Sequence, residues 1–179
     1  TLVGVVGADN SLNMPDFRAA ERTFQLLTQV AGRAGRGDLP GRVLIQTYYP
    51  EHYAIQDAVQ QDYAAFFERE IEYRRIMAYP PFTSLANVII RDRNLDRAVK
   101  WSNQLSQYFA PQGGTEIRVL GPASAPLARL KSEYRFQILL KSRKKAALAK
   151  LLSGALTYAD AKEIPPTSLL IDMDPLQLL

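Results

Sequence analysis

Three side chains at helical spacing carry the most explicit chemistry in this sequence. In Gln29-Val30-Ala31-Gly32-Arg33-Ala34-Gly35-Arg36 an amide is followed after four residues by one guanidinium and after three more by a second. At 100° per residue, Gln29, Arg33 and Arg36 fall within about 60° of one another on a helix surface. A guanidinium is planar, permanently charged and able to donate two hydrogen bonds to phosphate oxygens, so two of them a turn apart suit a polyphosphate. Counting backward, Phe17, Ala20, Phe24, Leu27 and Ala31 repeat at three and four residues and form an apolar stripe on the opposite side. One face anchors the helix and the other presents the cations. Two arginines alone would equally describe a solvated basic helix end; the glutamine and the two glycines are what that description leaves unexplained. Gly32 and Gly35 permit close approach of a backbone or ligand, and they also weaken the helix, so a loop-like presenting end is expected.

A second concentration of charge lies between Arg129 and Lys150. Arg129, Lys131, Arg135, Lys141, Arg143, Lys144, Lys145 and Lys150 face one carboxylate, Glu133, a local excess of seven in a chain whose formal net charge is only +4. Such clustering suits a polyanion, through release of counterions from phosphates, or an acidic peptide. A solvated face kept soluble by lysines is the alternative. Arg129, Lys131 and Arg135 beside Tyr134 could track a phosphate backbone while the ring stacks on a base.

The composition narrows the field. At 179 residues, 47% hydrophobic and 22% charged, the chain is a soluble globular sequence with enough apolar material for one or two cores. It has no cysteine and a single histidine, His52, so disulfides, thiolate metal sites and histidine metal sites are not expected. No apolar run approaches the ~20 residues of a membrane span and no signal peptide is evident, which makes a cytoplasmic protein without a membrane partner the default.

The elements that must position these groups follow from periodicity. Leu2 to Val6 reads as a buried strand with no structure before it, as in a piece that begins inside a domain. Gly7 to Asp16 is rich in turn residues, with Pro15 near the first turn of the next helix and Asp16 as its N-cap. Arg42 to Gln46 reads as a second strand, so strand, helix and strand describe a βαβ unit of a parallel sheet. Asp62 to Ala78 has helical spacing, with Tyr63, Phe66, Phe67, Ile71, Arg74 and Met77 on its inner face, and Tyr79-Pro80-Pro81-Phe82 ends it. Then come a strand over 84–92 and a helix over 94–109 that uses Leu95, Ala98, Val99, Leu105 and Phe109. A short strand over 117–120 is followed by a strand over 134–142 that alternates Phe136, Ile138 and Leu140 with Arg135, Gln137 and Lys141. A helix over 144–156 turns Leu148, Leu151, Leu152 and Ala155 inward, and a strand over 168–172 closes the series. That order is βαββαβ, the ferredoxin-like split unit, in which both helices cover one sheet face and leave the other free. The expected division is an α/β part over 1–50, a bridging helical segment over 51–82 and an α+β domain over 83–179.

The string Q-x-x-G-R-x-G-R resembles motif VI of superfamily 2 helicases. The longer run from Val5 to Arg36, together with Gln46-Thr47-Tyr48-Tyr49-Pro50, Tyr79-Pro80-Pro81-Phe82, Gly121-Pro122-Ala123, Arg135 to Lys141 and Asp172-Met173-Asp174-Pro175, resembles the primosomal replication-restart helicases, the primosomal protein N′ family. The resemblance runs nearly end to end. It implies the end of a RecA-like helicase lobe followed by a ferredoxin-like domain similar to the ribosomal S10 type. It implies that Arg36 is an arginine finger on the γ-phosphate and Arg33 its partner, that Gln29 lies near the nucleotide, that Asp16 contacts the ribose, and that Asp9 couples nucleotide to the DNA backbone. It further implies an ATP-dependent 3′-to-5′ DNA helicase that recognises branched or forked DNA, with single-stranded DNA-binding protein and other primosome proteins as partners. In that setting Arg129, Lys131, Tyr134 and Arg135 face DNA, and Lys144 and Lys145 hold the acidic tail of the single-stranded DNA-binding protein. ATP and Mg²⁺ would serve the full-length protein, and zinc an upstream module of the family. No G-x-x-x-x-G-K-[ST] occurs here, not even a Gly-Lys pair, so this chain by itself is expected neither to hydrolyse ATP nor to carry a cofactor. The rival reading is a non-catalytic nucleic-acid or protein adaptor whose helicase-like arginines are vestigial.

Overall fold

The computed structural model describes residues 2–34 and 41–178. It is α/β, with a small parallel sheet and a larger antiparallel one. Its contacts form two compact units, Thr1–Ile76 and Met77–Leu179.

In the first unit β1 (Leu2–Val5) leads through a short helix α1 (Asp9–Leu12) to α2 (Ala19–Ala34), and then to β2 (Arg42–Ile45). The two strands pair in parallel, Leu2 opposite Arg42 and Val5 opposite Ile45, so the expected βαβ order is present. The apolar stripe of α2 is what holds the helix down: Phe24 and Leu27 are buried and pack with Ala54, Ile55, Ala58 and Phe66, while Val5 and Ile45 meet the same cluster from the sheet. The expectation of a buried β1 needs correction. Leu2 is 66% exposed and Leu44 58%, because helix packing covers the sheet from one side and alternate residues of each strand point to the other.

The segment over 51–82 divides between the units. Its helices α3 (Tyr53–Gln60) and α4 (Tyr63–Ile76) belong to the first, and Met77 begins the second. The aromatic inner face predicted for α4 is narrower than its spacing suggested: Tyr63, Phe67 and Met77 are exposed, and Phe66 and Glu70 are the buried residues. Phe66 stacks on Phe24 with ring centroids 4.2 Å apart. One turn on, Glu70 accepts from Tyr53 Oη and from Arg74 Nε, each at 2.6 Å, and Arg74 Nη2 donates to Glu21 of α2 at 2.7 Å. A polar chain therefore continues the line that the apolar pattern leaves unfinished.

Arg18, and after it Arg74, hold the Glu21 carboxyl at about 2, well below the usual carboxylate range. A depressed folded-state pKa means that this contribution is complete above about 4.5 and is lost as pH falls toward 2. The first unit is accordingly expected to lose stability across that window, and Glu21→Gln should flatten the slope when thermal midpoints are measured at half-unit pH steps.

The second unit runs β3 (Ser84–Asp92), α5 (Leu95–Gly113), β4 (Ile117–Leu130), β5 (Glu133–Ser142), α6 (Lys145–Ala161), a 3₁₀ turn at Pro166–Ser168, and β6 (Leu169–Met173). The sheet order is β4-β5-β3-β6 with every neighbouring pair antiparallel. Asn94 caps α5, its side-chain oxygen accepting from the Arg97 amide at 3.1 Å. The core is the inner face of the sheet, from Ala86, Val88, Ile90, Ile138 and Leu140, against Leu105 and Phe109 of α5 and the expected Leu148, Leu151, Leu152 and Ala155 of α6. On α5, Leu95 and Val99 are partly solvated, and Trp101 and Ser102 take the inward positions between Ala98 and Leu105. A 3.6-residue period carries the buried line through them.

β4 is longer than the predicted strand over 117–120. It continues past Gly121-Pro122 through irregularities between Leu120 and Ala123 and between Ser124 and Arg129. Gly121 has φ +105°, and a Cβ there would lie 2.7 Å from the Gln137 carbonyl oxygen. Both the conformation and the approach of a neighbouring strand exclude a side chain, so Gly121→Ala is expected to cost about 2–3 kcal/mol, seen as a lower thermal midpoint.

The second sheet face is not left free as the βαββαβ order had suggested. Leu85, Asn87 and Ile89 are buried on it, and Gln137 Nε2 donates to Asn87 Oδ1 at 2.8 Å and to the Leu178 carbonyl at 3.2 Å. Asp174 turns the chain end onto this face by accepting from the Leu85 amide at 3.2 Å.

Candidate nucleotide-facing and nucleic-acid-facing sites

Gln29 and Arg33 both lie exposed on α2, one turn apart. Neither side chain has a hydrogen bond or ion pair among the described residues. The helix does not become loop-like at Gly32 but continues to Ala34, which is buried. Among the described residues, the helix's own backbone aside, nothing lies within 4 Å of where a Gly32 Cβ would be. Gly35 and Arg36 lie outside the described residues.

The two carboxylates singled out nearby are engaged within the unit. Asp9 accepts from Thr47 Oγ1 at 2.5 Å and from the Tyr48 amide at 3.0 Å, tying the loop after β1 to the end of β2. The Thr47 hydrogen bond chiefly lowers its pKa. Asp16 lies three residues before α2 rather than at its N-cap, accepting from the Arg18 amide at 2.9 Å, and its buried carboxylate pairs with Arg22 at 3.1 Å. The 16 residues of α2 span about 24 Å, so the helix holds Asp16 and Arg33 near opposite ends rather than bringing them together.

In the second unit the β4–β5 hairpin gathers the predicted DNA-facing residues. Arg129 pairs in register with Tyr134, and Lys131 and Ser132 form the turn with φ of +50° and +65°. The Arg129 guanidinium lies over the Tyr134 ring, 5.2 Å from its centroid, an arrangement that presents a cation and an aromatic face together. Arg129 and Lys131 are exposed, Tyr134 is half-buried, and Arg135 is buried with Nη1 donating to the Leu127 carbonyl at 3.4 Å. Lys144 and Lys145, both exposed, sit at the start of α6, where Lys144 pairs with Glu116 and Lys145 with Asp174 at 2.6 Å. An acidic peptide would have to exchange with those carboxylates.

Sequence reasoning did not single out what surrounds Lys141. Its Nζ lies 3.4 Å from the centroid of the Tyr79 ring and donates to the Met77 carbonyl at 3.1 Å. Burial, and then the neighbouring Arg118, push its pKa down to about 8. The alternation of β5 already placed Lys141 opposite the core. Tyr79 and Arg118 come from segments 62 and 23 residues earlier, which no local pattern links to it.

Among the described residues no group of three or more histidine, cysteine or acidic residues could hold a metal ion. No helix among them is long and apolar enough to cross a membrane.

Comparison with known proteins adds a family to this geometry. Residues 75–176 match the Primosomal protein N C-terminal domain. Proteins called Replication restart protein PriA are similar along nearly the whole chain. The one from Bacillus subtilis is 41% identical over 100% of this chain, and those from Synechocystis and Haemophilus influenzae are 38% and 36% identical over 99% of it. The chain spans 21–24% of the length of these relatives. With more than half of its residues inside the family match, and with the hairpin and the Lys141 surroundings all within it, the chain belongs to the family of the primosomal protein N C-terminal domain.

Proposed function

We propose that this chain is the C-terminal part of an ATP-dependent 3′-to-5′ DNA helicase that recognises stalled or branched replication forks and starts primosome assembly for replication restart. In this reading the βαβ unit is the end of a RecA-like lobe. The second unit is ferredoxin-like, as its β-α-β-β-α-β order and β4-β5-β3-β6 sheet support. Replication restart is the role named for the relatives. The observation that carries the motor reading is the pair Gln29 and Arg33, exposed and unpaired among the described residues on a helix whose opposite face is buried. A cation carried on a packed helix, with no counter-ion among the described residues, is suited to a ligand brought by another lobe. Arg36 completes the pair by the motif, and ATP with Mg²⁺ would be held elsewhere in the longer protein. Asp9 and Asp16 serve the site by fixing the loop that launches α2.

The hairpin tip is the DNA contact in this proposal, with Arg129 and Lys131 on phosphates and Tyr134 against a base. Lys144 and Lys145 receive the acidic tail of single-stranded DNA-binding protein, and the setting is the cytoplasm. Titrating forked and duplex DNA against the chain over a salt series tests the nucleic-acid part. Lys131→Ala should weaken binding and reduce the log–log salt slope by about 1, and Arg129→Ala should weaken forks more than duplex. Unchanged affinity and slope in both variants would remove the hairpin from the interface.

A further inference from the structure

The strand register sets Arg118 of β4 directly opposite Lys141 of β5. Two cations thus project side by side from the sheet face that turns away from α5 and α6. Lys141 is 6% exposed, and its partners are a carbonyl oxygen and an aromatic ring, both neutral. Arg118, Lys141 and Arg143 make no ion pair among the described residues. They share a cavity of about 400 Å³ with Thr83, Thr115 and Ser142; the Thr83 hydroxyl donates to the Ala78 carbonyl and the Ser142 hydroxyl accepts from the Lys144 amide. The carboxylate on its wall, Glu116, is taken by Lys144, and Asp174, the next acid along this edge, is held by Lys145.

Burying an ammonium beside a guanidinium without an anion is unfavourable, and folded chains normally answer it with a carboxylate. Here the answering charge is missing while the donors stay grouped. Three grouped cations match the two charges and three terminal oxygens of a phosphate monoester better than the single charge and two oxygens of a carboxylate. We propose that this cavity binds a phosphate monoester, supplied either by the end of a nucleic-acid strand or by a free nucleotide. Arg118 and Arg143 grip its oxygens and Lys141 supplies the buried charge. The site is distinct from the hairpin tip, has Lys144 of the proposed tail site on its wall, and does not depend on the helicase reading. Because Lys141 is partly deprotonated near pH 8 in the free protein, anion binding draws a proton onto it.

Calorimetric titration of the chain with AMP at pH 8, in two buffers of different ionisation enthalpy, tests this directly. Saturable binding with net proton uptake is expected. Arg118→Ala should weaken it about ten- to hundredfold. Lys141→Met, which keeps the stem against Tyr79, should abolish the proton uptake. Lys150→Ala, on the exposed side of α6, should leave both unchanged. Paired oligonucleotides with a 5′-phosphate or a 5′-hydroxyl identify the source: preference for the phosphate end points to a strand terminus, and tighter binding of AMP to a free nucleotide. Weakening by Lys150→Ala equal to that by Arg118→Ala, or binding without proton uptake, would overturn the proposal. A thermal scan of each variant checks folding, and a fully folded Lys141→Met protein with unaltered AMP affinity and uptake would overturn it as well.

Discussion

On the proposed motor reading, alanine at position 33, beside the Arg36 finger, is expected to lower ATP turnover of the longer protein on the order of 10³-fold, the lower end of what loss of an arginine finger costs. The same substitution should leave the folding of this chain almost untouched. Arg33 is exposed, and with no partner among the described residues its removal leaves neither a cavity nor an unpaired buried group. Even a slight gain is expected, because alanine is a better helix former than arginine. That separation of effects makes the experiment decisive. Steady-state turnover with saturating DNA reads the chemistry, and the thermal midpoint of the isolated chain reads the scaffold. Arg33→Lys keeps the charge but not the planar fork, so it should recover only a small part of the rate. Wild-type turnover in Arg33→Ala would remove Arg33 from the nucleotide site, and no turnover in the unsubstituted longer protein would favour the adaptor reading, in which the arginines are vestigial.

Phe109→Ala should have the largest effect on stability. The ring is fully buried in α5, packed within the cluster of Leu105, Ile138, Leu140 and Leu148 and edge-on to Tyr108 at 5.7 Å. Its removal costs the transfer energy of the side chain and the cavity left behind, about 3–5 kcal/mol. Against a total of about 5–15 kcal/mol for a typical domain, that is enough to populate an unfolded second unit near physiological temperature. Chemical denaturation should show a lower midpoint for that unit with little change in slope, and Phe109→Leu should recover more than half of the loss. A loss below about 1 kcal/mol would mean that the helix layer is not what secures the sheet.

Much of the fold was legible because periodicity is a local property. A period near 3.6 identified the stripe of α2 and the inward set of α6, and a period of two identified Ile138 and Leu140 on β5; all are buried or half-buried as read. The misreadings share a cause. Leu95, Val99, Tyr63 and Phe67 have the right spacing and the right chemistry, yet the neighbouring element reaches only part of the helix circumference, and composition cannot say which part. β4 outran its predicted end because Gly121 and Pro122 stop most strands, but here they sit in an irregularity that the pairing with β5 tolerates.

The candidate sites divide in the same way. By itself the sequence determined which side chains could do chemistry and which helix face would offer Gln29 and Arg33, since both follow from residue type and spacing along one element. Tertiary structure alone decided which charges remain available. Lys144 and Lys145 find carboxylates 28 and 29 residues away, Arg135 turns inward to a carbonyl, and Lys141 is buried against a ring from another segment beside an arginine on the next strand. Charge neutralisation acts through space over a few ångströms, and chain distance does not encode it.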